Sequence, residues 1–197
     1  VIISRTSYEI PAFELISQLK RKSWFYATDT GNTRKVAKMI KKQFDEGEVA
    51  LHNVKEATAA EELAKYTALI FGTPTLGDGE LPETLSEFLP ALDGVEWAGK
   101  TVALFGLGDQ VGYPDEFVDA LGIFGKKLKK KGATLIGSWP VDGYEFNKSK
   151  AVVNGEFIGL VLDQDNQADL TEERLEEWLE QVKPELLFQS APAHASE

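Results

Sequence analysis

With 197 residues, 43% apolar and 27% charged, the chain has the composition of a globular protein large enough for one domain with a sizeable core. It has no cysteine, which excludes disulfides and thiolate metal centres, and its only histidines are His52 and His194, so a histidine-based catalytic centre is not expected. A formal net charge of −11 argues against nucleic-acid binding and favours a basic protein partner approached by electrostatic steering, and no apolar run reaches the roughly 18 residues of a membrane span.

The first 22 residues, VIISRTSYEIPAFELISQLKRK, differ from the rest: they end in Lys20-Arg21-Lys22 and lack the long apolar stretch of a secretory signal. They are expected to be an extension, either the remnant of an organelle-targeting or joining segment or an added helix after Pro11. The domain proper is expected over residues 23–186, followed by a polar tail at 187–197.

Within the domain, Trp24-Phe25-Tyr26-Ala27 reads as a short strand. NTRKVAKMIKKQF puts Val36, Met39, Ile40 and Phe44 on one helical face with lysines opposite. VALHNV reads as a strand, AEELAKY as a short helix, and TALIFG as a strand buried on both faces. PETLSEFLPAL predicts a helix that Pro90 ends or bends, and TVALFG a further buried strand. DEFVDALGIFGKKLKKK predicts a helix with Asp115 and Glu116 in its first turn and lysines in its last, as the helix dipole favours. ATLIGSW and FIGLVLD predict strands, and LTEERLEEWLEQV a final helix capped by Thr171. The lysines between Lys126 and Lys131 read as a solvated helix end. The alternation of strands and helices implies an α/β fold with a parallel sheet and helices on both faces.

Ligands of such sheets bind beyond the carboxyl ends of the strands. Three apolar strands here end in glycine-rich polar loops: TDTGNT, TPTLGDGE and GLGDQVGY. In the first, the hydroxyls of Thr28, Thr30 and Thr33, the Asn32 amide and the amides of a helix start provide donors for a phosphate, and Gly31 permits close approach; the alternative is a plain polar helix cap. No lysine or arginine lies in this loop, and the G-x-x-x-x-G-K-[ST] nucleotide loop is absent. In the second loop Pro74 stiffens the strand exit, Leu76 offers an apolar face to a flat ligand and Gly77-Asp78-Gly79 is flexible; the alternative is a surface turn. In the third, Gly108, Asp109 and Gln110 offer backbone amides to a heterocycle and Tyr113 offers a ring; the alternative is a tyrosine half-buried at a helix start.

Together and in this order, TDTGNT, TPTLGDGELP and FGLGDQVGYPDEFVDA resemble the three cofactor loops of the flavodoxins. The resemblance runs from about Trp24 to Leu186. DGYEFNKSKAVVNGEFIGLVLDQDNQADLTEERLEEWL resembles the extra segment of the long-chain members, and the second and third loops look somewhat like the nitrogen-fixation group. The resemblance implies a flavodoxin-like doubly wound five-stranded parallel sheet with helices on both faces, ordered 2-1-3-4-5, the last strand interrupted by an insertion. It implies a low-potential electron carrier with non-covalently bound flavin mononucleotide (FMN). Electrons would pass singly between a reductase or photosystem and an acceptor enzyme.

The implied site follows residue by residue. Thr28, Gly31, Asn32, Thr30 and Thr33 would hold the phosphate, with Asp29 shaping the loop. Thr73, Pro74, Thr75 and Leu76 would line one side of the ribityl chain and ring, and Gly77 would turn its carbonyl toward the half-reduced flavin. Leu107, Gly108, Asp109 and Gln110 would edge the pyrimidine, Tyr113 would cover the other ring face, and Asp165 would reach the ribityl hydroxyls. No catalytic residue and no metal site is expected. Partners would be a basic flavoprotein reductase and an acceptor redox enzyme, met transiently by a monomer with no membrane insertion and no nucleic acid. The compartment would be cytoplasmic, or the plastid stroma if the N-terminal segment is a targeting remnant.

Two features depart from the family pattern. Lys20-Arg21-Lys22 stand at the start of a central strand, so either they are expected at an exposed rim of the sheet or the strand is expected to be short, and leucine stands at position 76 where many members have tryptophan, which opens one side of the ring. A quinone or nitro reductase on the same fold is the alternative function; a signalling receiver domain fits poorly, because paired acids after the first strand are replaced by TDT.

Overall fold

A computed structural model of the chain describes residues 22–27, 31–46, 49–56 and 59–187. The expected N-terminal extension (1–22) and C-terminal tail (187–197) lie outside the described residues, except for Lys22, which is in the first strand, and Leu187, which ends the last helix.

Five strands, β1 (Lys22–Tyr26), β2 (Val49–Asn53), β3 (Ala68–Pro74), β4 (Thr101–Leu107) and β5 (Thr134–Ile136), pair in parallel in the order β2-β1-β3-β4-β5. The central three are buried along their whole length, as expected for strands covered on both faces. The covering helices are α1 (Asn32–Lys42), α2 (Ala59–Ala64), α3 (Glu83–Phe88), α4 (Asp119–Lys130) and α5 (Thr171–Leu187).

Strand alternation sorts the core into two layers. Trp24 faces the α1 side and meets Phe44 edge-on at 5.0 Å; Lys183 of α5 lies 5.1 Å from the same Phe44 ring. Phe25 points the other way and stacks on Phe71 at 5.1 Å, and Phe71 meets Phe124 of α4 at 5.3 Å. Val36 and Ile40 of α1 are buried as the helical spacing predicts, while Met39 and Phe44 are half-buried against the core. α3 stops at Phe88, and a 3₁₀ turn over Leu89–Gly94 takes over with Pro90 near its start, which is the break expected at that proline.

The last strand is made in two pieces. β5 pairs with Thr101–Ala103 of β4; the chain then leaves the sheet and returns as β9 (Leu160–Leu162), which pairs with Phe105–Leu107 of the same strand. The excursion carries β6 (Trp139–Pro140), β7 (Val152–Val153) and β8 (Glu156–Phe157), a small antiparallel sheet ordered β6-β8-β7. Aromatic rings attach it to the domain: Phe117 meets Tyr144, Phe146 and Phe157 at 5.8, 5.4 and 6.0 Å. The Tyr144 hydroxyl donates to the Val161 carbonyl at 2.6 Å and accepts from Trp139 Nε1 at 3.0 Å, and Arg174 lies over its ring at 4.2 Å. Burial pushes the Tyr144 phenol up to about 12, against the opposing charge of Arg174.

Three sequence expectations are corrected. Lys22 is not at an exposed rim but buried, because β1 is flanked from its first residue by Val49 of β2 and Ala68 of β3. α4 begins at Asp119, so Asp115 and Glu116 precede it; Val118 has a left-handed φ of 49°, which no α-helix tolerates and which delays the helix. Thr171 does not cap α5. A 3₁₀ turn, Ala168–Leu170, runs straight into the helix, Thr171 is already helical, and its hydroxyl accepts from Gln164 Nε2.

Gly72 of β3 sits beside Phe105 of β4, and a Cβ at this glycine would lie 1.9 Å from the ring. Gly72→Ala should therefore overpack the centre of the sheet and cost about 3 kcal/mol, the upper end of the usual range. Equilibrium denaturation measures it; a loss below about 1 kcal/mol would mean the ring has room to move aside.

Candidate functional site

The carboxyl ends of β1, β3, β4 and β9 point to one end of the sheet, and the loops that follow them enclose an open cleft of about 270 Å³. Its walls come from each loop that the sequence singled out. Asn32 stands at the start of α1; Pro74, Thr75 and Leu76 follow β3; Leu107, Gly108, Asp109 and Tyr113 follow β4. Asp165 and Gln164 close it from the loop after β9. A larger hollow of about 420 Å³ beside Lys126, Lys129 and Leu135 draws on none of these loops.

Local physics shapes each wall. α1 begins behind Gly31, whose φ of 92° is open to glycine at no steric cost, and among the described residues no side chain caps the helix. Its first backbone N–H groups thus lack intrahelical acceptors. Thr33, in the first turn, is buried, and its hydroxyl has no hydrogen-bond partner among the described residues. After β3, Leu76 and Glu80 exchange both backbone hydrogen bonds, at 3.0 and 2.7 Å, closing a tight turn in which Gly77 takes a φ of 46°. The Thr75 hydroxyl accepts from the Ala120 N–H at 3.2 Å and so ties this wall to the first turn of α4. After β4, Asp109 Oδ1 accepts from the N–H groups of Val111 at 3.0 Å and Gly112 at 2.8 Å, a side-chain turn that presents Tyr113, 47% exposed, at the cleft.

Not every expected residue faces the cleft. Thr28, Asp29 and Thr30 lie outside the described residues. Thr73 is buried, and its hydroxyl donates to the Pro74 carbonyl at 2.9 Å. Gln110 is buried behind the wall: its N–H and Nε2 donate to Asp163 at 3.1 and 2.8 Å, and its Oε1 accepts from Glu145. The Gly108 N–H is also spent, on the Leu162 carbonyl at 3.2 Å. Gly77 sits in the exposed turn beside the cleft rather than in its lining. Sequence reasoning missed Gln164 and the Asp163–Asn166 network beneath it, although DQDN follows an apolar strand just as the other three loops do.

The rim is acidic. Asp78, Glu80 and Asp115 are exposed around it, with Asp109 and Glu116 half-buried. The Gly112 N–H, followed by Asn166 Nδ2 and the Val111 N–H, holds the Asp109 carboxyl below the usual carboxylate range, against a partial desolvation.

A doubly wound parallel sheet with a polar, glycine-rich cleft at its switch point defines the class: an α/β protein built to bind a nucleotide-type cofactor, a rule for which flavodoxins are one example. The flavodoxin family model matches residues 25–178. A flavodoxin of Klebsiella pneumoniae is 52% identical over 83% of this chain and 97% of its own length, and one of Nostoc sp. (strain PCC 7120) is 46% identical over 84% and 97%. Among solved structures, Fusobacterium nucleatum flavodoxin bound to flavin mononucleotide superposes with a TM-score of 0.80 at 32% identity, covering 85% of this chain and 99% of that one. The chain belongs to the flavodoxin family.

Because the folded-state pKa of Asp109 is depressed, its contribution to stability is complete above the ordinary value of 3.8 and is lost as pH falls through the lower folded value. NMR titration should place its midpoint below 3.8, and Asn166→Ala should raise that midpoint. A midpoint indifferent to Asn166 would contradict the assigned cause.

Proposed function

We propose that the cleft holds FMN non-covalently and that the protein is a small electron carrier, moving electrons singly between a reductase and an acceptor enzyme. Flavodoxins are electron carriers rather than enzymes, and membership of that family supports this reading. The observation that carries it at the level of residues is the Thr33 hydroxyl: a buried polar atom without a partner among the described residues, in the first turn of α1, next in sequence to Asn32, which lines the cleft with Leu76 and Tyr113. An orphaned donor in that position fits an acceptor-rich ligand, and helix starts favour phosphate.

The bound isoalloxazine would supply the redox chemistry itself. The chain's own residues then do the binding and tuning. Asn32, Thr33 and the first amides of α1 hold the phosphate, together with Thr28 and Thr30. TDTGNT itself contributes no lysine or arginine, so these contacts to the phosphate come from neutral donors. Thr75 and Asp165 face the polar chain, and Leu76 and Tyr113 exclude water from the ring. Gly77 can turn its peptide, since glycine meets little penalty on either side of φ = 0. The acidic rim opposes arrival of negative charge, which lowers the tendency to accept a further electron. The insertion between β5 and β9 fits the long-chain type.

The purified protein should be yellow, and flavin-free protein should quench the fluorescence of added FMN with one-to-one stoichiometry; colourless protein that leaves that fluorescence unchanged would end the reading. Thr33→Val should weaken FMN binding about tenfold while leaving the stability of the flavin-free protein unchanged or slightly raised, because an unpaired buried hydroxyl contributes nothing that valine lacks. A large loss of flavin-free stability would show instead that the hydroxyl has a structural partner.

The same rim would steer a basic reductase and a basic acceptor surface to the cleft. Electron delivery to such a partner should slow steeply as ionic strength rises from about 0.01 to 0.5 M, where the screening length shrinks severalfold. Stopped-flow rates independent of salt would remove the steering argument.

A further inference from the structure

We infer that Asp163 is the positioning residue of the cleft: its buried carboxylate clamps the wall carrying Gly108–Tyr113 to the wall carrying Gln164 and Asp165. This deepens the flavin-carrier reading and rests on it.

Asp163 directly follows β9 and is 1% exposed. Each group that contacts its carboxylate is a donor. Oδ2 accepts from the Gln110 N–H at 3.1 Å, Gln110 Nε2 at 2.8 Å and Asn166 Nδ2 at 2.9 Å. Oδ1 accepts from the N–H groups of Asp165 at 3.1 Å and Asn166 at 3.0 Å, and from Asn166 Nδ2 at 3.0 Å. Two extensions tie in the rest of the cleft. Asn166 Nδ2 also donates to Asp109 Oδ1 at 2.8 Å, the same oxygen that shapes the turn before Tyr113. Gln110 Oε1 accepts from the Glu145 N–H at 2.6 Å, which joins the insertion to the same knot.

This geometry asks for a carboxylate specifically. Both oxygens face only donors, so an amide at this position would turn one side into a donor pointed at Gln110 or at Asn166. Burial makes each such bond expensive to lose, because the groups left behind are dry. The network is also asymmetric in sequence: one residue after β9 organises a loop that follows β4, more than fifty positions earlier in the chain. A second effect follows from charge. Asp163 carries its anion in a place where water does not screen it, directly behind the cleft, so it opposes any negative charge gained there.

The test uses the protein reconstituted with FMN. Asp163→Asn should weaken FMN affinity at least about tenfold, mostly through faster dissociation. It should move the midpoint potential of full reduction in the positive direction, and in the flavin-free protein it should speed hydrogen exchange at Gln110, Val111 and Gly112. Asp169→Asn removes the same charge from an exposed position on the following turn and should change affinity by less than about twofold. Wild-type affinity and exchange in Asp163→Asn would overturn the clamp. Weaker binding with an unmoved potential would also overturn the proposal, leaving Asp163 as a residue that only stabilises the loop. Should Asp163→Asn fail to fold, Asn166→Ala takes its place: weaker FMN binding with faster exchange of the same amides is expected, and normal values of both would overturn the clamp. A wild-type protein that binds no FMN would instead sink the flavin reading, since the exchange measurement needs no flavin.

Discussion

β4 holds the two halves of the last strand at once, Thr101–Ala103 against β5 and Phe105–Leu107 against β9. Everything at the cleft depends on that double pairing. The lower half closes the sheet; the upper half delivers the chain to Asp163 at the height where β4 releases Leu107 and Gly108. Were the upper half in another register, Gln164 and Asp165 would land on the wrong side of the sheet or a full residue step away, since a slip of one position reverses every side chain. The insertion is therefore more than a decoration on the domain. Its Tyr144, bonded to Val161 of β9 and crossed by Arg174, pins the returning strand in place.

A second tension runs through the fold between a dry middle and a wet end. The sheet is filled by Trp24, Phe25, Phe71 and Phe105, and even Lys100 is drawn inside, where its ammonium is satisfied by the carbonyls of Leu63 and Tyr66 and burial lowers its pKa. At the carboxyl end of the strands the character changes within one or two residues to threonine, asparagine, aspartate and glycine. Rigid strands can thus present polar loops at fixed spacing, which is what recognition of a flat, many-atomed ligand requires.

Much of this was legible in the sequence because it rests on local chemistry. Apolar runs of strand length, lysines on one side of a helix, and glycine-rich loops after each run all report short-range rules. Asn32, Pro74, Thr75, Leu76, Leu107, Gly108, Asp109, Tyr113 and Asp165, all singled out from the sequence, line one cleft. What escaped depends on partners far away in the chain. Gln110 looks like a cleft residue until Asp163, fifty-three positions later, takes its donors. Thr171 looks like a cap until Gln164 claims its hydroxyl. The helix start at Asp119 was displaced by a backbone angle at Val118 that no propensity for valine anticipates. Lys22 looked like a rim residue because nothing in its own neighbourhood says that strands will flank it on both sides.

The dry hydroxyl of Thr33 bears on the life of the protein as well as on its chemistry. In the flavin-free chain that group has no partner among the described residues, and mass action raises the unfolding free energy as the small-molecule complement becomes available. Cellular proteases sample the opened form, so the steady-state amount of protein should rise and fall with the supply of its prosthetic molecule. Each group that binds the complement only in the folded chain adds to this coupling of vitamin status to abundance, the Thr33 hydroxyl among them.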